Sequence, residues 1–99
     1  MGMRAYLLVD VTDDMKQQEF MNRVRELEQM PGVDFIDTVI GSHDMIIMVD
    51  APVAVEAIAR KIQDESWVKG MEILKIVSMF ERRRASKKEL LKALKHGGV

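Results

Sequence analysis

Four consecutive residues, Gly41-Ser42-His43-Asp44, concentrate the chemistry of this 99-residue chain. Gly41 suits a hairpin that needs an unusual φ, and its bare backbone also lets a ligand approach closely. Asp44 suits a turn, where its carboxylate can cap local backbone N–H groups. His43 can be a surface turn residue. It can also be a cleft donor, because imidazole ordinarily exchanges its proton near neutral pH. A metal role is not expected for His43: the only other histidine, His96, lies near the C-terminus and there is no cysteine.

Asp10 and Asp50 are a second pair that could do chemistry. They end two related segments, Leu7-Leu8-Val9-Asp10-Val11 and Ile47-Met48-Val49-Asp50-Ala51, 40 residues apart. Paired acids can share acid–base work. The simpler reading is that each opens a loop and steadies the turn or helix N-terminus that follows. The sequence holds no Ser-x-Gly elbow, no Gly-rich phosphate loop and no zinc-ligand spacing. No catalytic residue, metal or cofactor is therefore expected.

The elements that must position these residues follow from periodicity. The segment Gly32-Val33-Asp34-Phe35-Ile36 also returns, 38 residues on, as Gly70-Met71-Glu72-Ile73-Leu74. Each repeat brackets a helical pattern, so the chain reads as two β-α-β halves of a ferredoxin-like βαββαβ fold. Strands are expected at Arg4–Val11, Val33–Ile40, Met45–Asp50 and Met71–Phe80. In the second of these, strict alternation places Val33, Phe35, Asp37 and Val39 on one face. Thr12-Asp13-Asp14 supplies N-cap chemistry for a first helix with the stripe Phe20, Val24, Leu27, flanked by Met21 and ended by Pro31-Gly32. Pro52 suits the first turn of a second helix with the stripe Val55, Ile58, Ala59, Ile62, which Trp67 closes. Gly70 then turns the chain. Ser86-Lys87-Lys88-Glu89 matches a capping box before the stripe Leu90, Leu91, Leu94, a short C-terminal amphipathic helix.

Composition limits the function classes. Hydrophobic residues make up 47% of the chain, enough for one modest core. No apolar run approaches the roughly 20 residues that span a bilayer, and no convincing signal peptide is present. With no cysteine, a soluble, cytoplasmic protein is expected and no membrane partner. The formal charge of −1 hides an asymmetry: residues 82–99 carry seven Lys or Arg and one acid, Glu89, so a body of net −7 precedes a tail of net +6. Two units are expected, a domain over residues 1–81 and a basic linker with its helix over 82–99. Arg82-Arg83-Arg84 can be a solvated charge run or meet an acidic partner or nucleic acid. Without interleaved aromatics for base stacking, direct DNA binding is not expected.

Ile46-Ile47-Met48-Val49 and Ile73-Leu74 with Ile76-Val77 are apolar on both sides of their strands. Two helices cover one face of a four-stranded sheet. A bare apolar face is rarely left to water by a monomer, so a face-to-face homodimer or a ring of dimers is expected. Of the nine methionines, Met45, Met48, Met71 and Met79 fall in strands, where flexible thioethers suit core and interface packing.

Three local signals resemble the effector-binding (RAM) domain of the Lrp/AsnC regulators. Met30-Pro31-Gly32-Val33 is similar to that family's step from first helix to second strand. Gly41-Ser42-His43-Asp44 is similar to its Gly-x-Tyr-Asp hairpin, and Val68-Lys69-Gly70-Met71 leads into the last strand as it does there. The match spans residues 3 to about 81. The resemblance implies a ferredoxin-like α+β domain, β-sandwich dimers that assemble into rings, and small effectors, commonly amino acids, held between dimers near the hairpin. It implies ligand contact through Gly41 and Asp44, with Ser42 and His43 lining the cleft and Asp44 receiving a ligand ammonium group or a backbone amide. The family's helix-turn-helix has no counterpart before the first strand, so a stand-alone effector domain is expected, acting on itself or on a full-length regulator. The chain departs from the family at His43, usually tyrosine, and in its basic C-terminal helix. A different class, a small dimeric α+β barrel monooxygenase, would need a deep pocket under the sheet served by Tyr6, His43 and Trp67.

Overall fold

The computed structural model describes residues 3–52 and 54–77. Its elements run β1 (Met3–Val11), α1 (Gln17–Glu28), β2 (Val33–Thr38), β3 (Met45–Ala51), α2 (Val55–Gln63) and β4 (Val68–Ile76). The strands form one sheet in the order β2-β3-β1-β4, every neighbouring pair antiparallel. This is the ferredoxin-like α+β arrangement that the internal repeat implies. The C-terminal helix, the Arg82–Arg84 run and Met79 lie outside the described residues. No helix among the described residues is long and apolar enough to cross a membrane.

Alternation in β1 and β3 decides which face is the core. Ala5, Leu7 and Val9 of β1 and Met45, Ile47, Val49 and Ala51 of β3 are buried against Val55, Ile58, Ala59 and Ile62 of α2, with Leu27 of α1 and Trp67. Each large aliphatic side chain removed from water in this way contributes roughly 1.5–3 kcal/mol before the cost of ordering it. The α2 stripe is buried along its whole length as its spacing predicts. In α1, Leu27 is buried, Phe20 and Val24 pack against the core, and Met21 is exposed.

The opposite face of the sheet has no cover among the described residues. The registers set Leu74, Tyr6, Met48 and Phe35 in one row across β4, β1, β3 and β2. Glu72, Leu8, Ile46 and Asp37 form the next row. Phe35 and Leu74, at the two ends of the first row, are each 45% exposed, while Met48 between them is almost wholly buried by its neighbours. Apolar side chains thus occupy the centre of the open face, with Asp10, Asp37, Asp50 and Glu72 around it.

Several local expectations are corrected. A bulge between Val33 and Phe35 breaks strict alternation in β2, so Val33 and Ile36 pack on the core while Phe35 and Asp37 share the open face. One extra residue in a strand reverses every side chain beyond it. The Thr12-Asp13-Asp14 segment is a turn, in which Met15 N–H donates to Thr12 C=O (3.2 Å) and Thr12 N–H to Trp67 C=O (3.0 Å). Helix α1 starts later, after Lys16, with no side-chain cap. Pro52 precedes α2 by several residues, and Gly70 does not turn the chain but lies inside β4 opposite Asp10, next to a second bulge at Asp10/Val11. The β2–β3 connection spans six residues, 39–44, rather than four. Gly32, where α1 hands over to β2, has φ +93° and its C=O accepts Asp50 N–H at 2.8 Å. That positive φ suits glycine and few other residues.

Candidate functional site

The site is built where the β2–β3 loop meets the end of β1. Strand β3 begins at Met45, opposite Val9, so β1 overruns its neighbour and the Val11 N–H has no strand partner on that side. Asp44 fills the gap. Its backbone N–H donates to Val9 C=O at 2.9 Å, and its carboxylate Oδ2 accepts the Val11 N–H at 2.8 Å. Its own C=O accepts Val39 N–H at 3.0 Å, which closes the loop on itself. The acid does bind a backbone amide, but one from a strand 33 residues away instead of one in its own turn.

An open cleft of about 420 Å³ lies beside this clamp. Val11, Met15, Phe20 and Ile40 supply apolar walls; Gln17, Thr38 and Asp44 supply polar groups, and Val39 completes the lining. The wall is therefore made by the end of β1, the turn after it, the first turn of α1 and the β2–β3 loop. Asp44 is the one charged group among these side chains, half-buried, with one carboxylate oxygen engaged by Val11. Chemically the cleft offers a carboxylate and two neutral polar side chains to a small molecule with an apolar part.

The four expected site residues separate. Asp44 faces the cleft. Gly41 and Ser42 form the exposed tip of the loop; Gly41 has φ +154°, and a Cβ added there would meet nothing within 4 Å. Ile40, beside them, is wholly exposed. His43 turns to the other side of β1. Its Nδ1 lies 2.9 Å from Asp10 Oδ1 and its Nε2 3.7 Å from Glu72 Oε1. Asp10 and Glu72 belong to the open face of the sheet, so consecutive residues 43 and 44 serve opposite faces.

Asp10 and Asp50 do not act as a pair. They sit at opposite ends of the open face, Asp10 with His43 and Asp50 near Arg4 (3.9 Å). Among the described residues no group of three His, Asp or Glu side chains is placed to hold a metal ion. Tyr6, His43 and Trp67 are not brought together either. Trp67 is buried in the core, Tyr6 is on the open face, and the space under the sheet is filled by Leu7, Met45, Ile47 and Ile62. Elsewhere, Lys75 of β4 hydrogen-bonds to Glu56 of α2. With the Glu56 N–H, it holds that carboxyl below the usual carboxylate range.

Of the residues that line this cleft, sequence reasoning singled out Asp44 but not Val11, Met15, Gln17 or Phe20. None of these carries a motif of its own. They become neighbours of Asp44 only because β3 lies beside β1 and α1 follows β1 directly.

No protein-family model matches the sequence, and no curated protein matches it. Solved structures do. The hypothetical protein PHS023 from Pyrococcus horikoshii superposes with a TM-score of 0.63 at 18% identity, over 77% of this chain and 90% of that one. FFRP-DM1 matches at 0.56 and 18% identity, over 76% of this chain and 99% of that one. The transcriptional regulator NMB0573 from Neisseria meningitidis, solved as a complex with L-Met, matches at 0.58 and 15% identity. That match covers 78% of this chain but only 51% of the regulator's. These structures share the fold of this chain, and it is the ferredoxin-like α+β fold that the Lrp/AsnC resemblance implies.

Proposed function

We propose that this chain is an effector-binding domain of the Lrp/AsnC type, which takes an amino-acid-like ligand beside Asp44 and works as an oligomer of its own copies. The observation that carries the reading is the cleft itself: a single carboxylate set among Val11, Met15, Phe20 and Ile40. A carboxylate at a half-buried wall suits an ammonium group, and the apolar lining suits an aliphatic or thioether side chain. The regulator that shares this fold was solved with L-Met, a ligand of that chemistry. Gly41 and Ser42, exposed at the loop tip, would complete the cleft's outer side where a neighbouring copy approaches. His43 would line the far edge of the same loop.

The open sheet face supports the assembly half of the reading. A row from Leu74 through Tyr6 and Met48 to Phe35 is apolar from edge to edge, and a second copy packed face to face would take it out of water. By the same face the domain, residues 1–81, would join a full-length regulator of like fold, with residues 82–99 as a separate basic segment.

The test is a thermal-melt screen against the amino acids, followed by calorimetry on any that act, with sedimentation on the same sample. A ligand at one hundred times its Kd stabilises the folded state by about 2.7 kcal/mol, a shift of many degrees for a chain this small. The expected result is a shift with at least one apolar amino acid and a species of two or more chains. Unchanged melting with every amino acid at millimolar concentration refutes the ligand. A single chain at tens of micromolar refutes the assembly.

A further inference from the structure

We infer that His43 is a proton-operated latch that positions the Asp44 loop, a regulation that rests on the cleft reading for its effect on ligand but not for its geometry. The loop is held to the body at one place. Residues 43 and 44 make three contacts to three successive residues of β1: Asp44 N–H to Val9 C=O, His43 Nδ1 to Asp10 Oδ1, and Val11 N–H to Asp44 Oδ2. The loop tip beyond them, at Ile40 and Gly41, has no packing from the described residues to hold it. Of the three contacts only the one through the imidazole can pass from a neutral to a cationic donor by gaining a proton.

The two carboxylates around His43 respond to that proton differently. A neutral imidazole with hydrogen on Nδ1 donates to Asp10 at 2.9 Å and turns a bare lone pair on Nε2 toward Glu72, 3.7 Å away. No other described group attracts Glu72 in that state. The imidazolium donates from both nitrogens, keeping Asp10 and drawing in Glu72. The loop is then tied to β4 as well as to β1. Among the described residues the charged groups that face His43 are Asp10 from β1 and Glu72 from β4, with Asp44 on its own loop and Asp37 of β2 on the same open face. Lys69, next in sequence to Gly70, is engaged with Asp13 (3.4 Å). The balance of described groups around the ring is acidic, so a proton on His43 tightens the latch.

The test is hydrogen exchange at the Asp44 and Val11 amides, the two N–H groups that the latch protects. It is measured on ligand-free full-length protein between pH 8 and pH 5.5 and corrected for intrinsic exchange. In wild type, protection at these two amides should rise roughly two- to fivefold as pH falls, the range of a solvent-accessible ion pair. His43→Asn keeps a donor near the Nδ1 position but cannot charge, and should flatten the profile while leaving the fold intact. Glu72→Gln should also remove most of the rise. Protection in wild type that does not depend on pH, or a rise retained in H43N, overturns the latch. A rise without any amino acid bound in calorimetry leaves the latch standing and refutes only the ligand.

Discussion

Substituting Asp44 separates its two roles, because alanine and asparagine remove different things. In Asp44→Ala the Val11 N–H loses its acceptor at a half-buried strand end, where no backbone group of β3 can replace it. Leaving such a donor unpaired costs about 1–3 kcal/mol, and the partial exposure here favours the lower half of that range. For a domain of this size each kcal/mol moves Tm by about 4–8 °C, so D44A should melt roughly 4–16 °C below wild type. Asparagine keeps a side-chain oxygen in nearly the same place. Asp44→Asn should therefore lose only the charge assistance of one hydrogen bond, about 1 kcal/mol or less. Its effect on ligand should be much larger, because an ammonium group that meets an amide in place of a carboxylate forfeits about 1.5–3 kcal/mol, one to two orders of magnitude in Kd. Stability is read by urea unfolding at fixed protein concentration, with the fluorescence of the single, buried Trp67 as the probe. Affinity is read by calorimetry with whichever amino acid the melting screen selects. A D44A protein as stable as wild type would refute the clamp. A D44N protein that binds its ligand as tightly as wild type would refute the ammonium role and reduce Asp44 to a structural residue.

Two further predictions test the frame around the site. Gly32→Ala forces a side chain onto a φ of +93° and sets its Cβ 2.5 Å from Ile58 Cδ1. The backbone share should cost about 1–2 kcal/mol, and turning the free end of the Ile58 side chain aside about 1 kcal/mol more. Ile58→Val removes that Cδ1, so a double-mutant cycle in urea should recover the Ile58 share and leave the backbone share; additive effects would show that Ile58 already yields without cost. On the open face, Leu74→Glu puts a charge in the apolar row beside Tyr6. Sedimentation should show single chains with an unchanged far-ultraviolet circular dichroism spectrum, and an L74E protein that sediments like wild type would exclude this face as the contact.

The elements were legible because their periodicities are strong, and the errors fall where a local signal competed with a distant one. The α2 stripe at Val55, Ile58, Ala59 and Ile62 is buried as spaced. Thr12-Asp13-Asp14 has the side chains of a cap, yet α1 starts at Gln17 without one. The packing of Phe20, Val24 and Leu27 on the core decides where that helix lies, and a cap is worth only about 1 kcal/mol against it. Alternation assigned Phe35 to the face of Val33. The bulge between them leaves no mark in composition, since Asp34 suits either face of an edge strand.

The geometry of the candidate cleft was only partly visible in the sequence, for a reason that the sheet makes plain. The Gly41-Ser42-His43-Asp44 segment announces a hairpin with an acid, but its partners are 33 residues away and carry no shared motif. What connects them is register. The sheet pairs Leu7 with Ile47 in antiparallel register. Continued toward the loop, that pairing sets Val9 against Met45 and, one step on, would set Asp10 against Asp44. The strands part at that step. The loop residues then reach β1 through side chains, Asp44 to Val11 on the cleft side and His43 to Asp10 on the open side. A side-chain period of two makes consecutive residues diverge, so one short loop reaches both faces of the sheet. The chemistry at positions 43 and 44 is therefore a property of where β3 begins relative to the end of β1. Shifting that start by one residue would exchange the two side chains between the cleft and the open face.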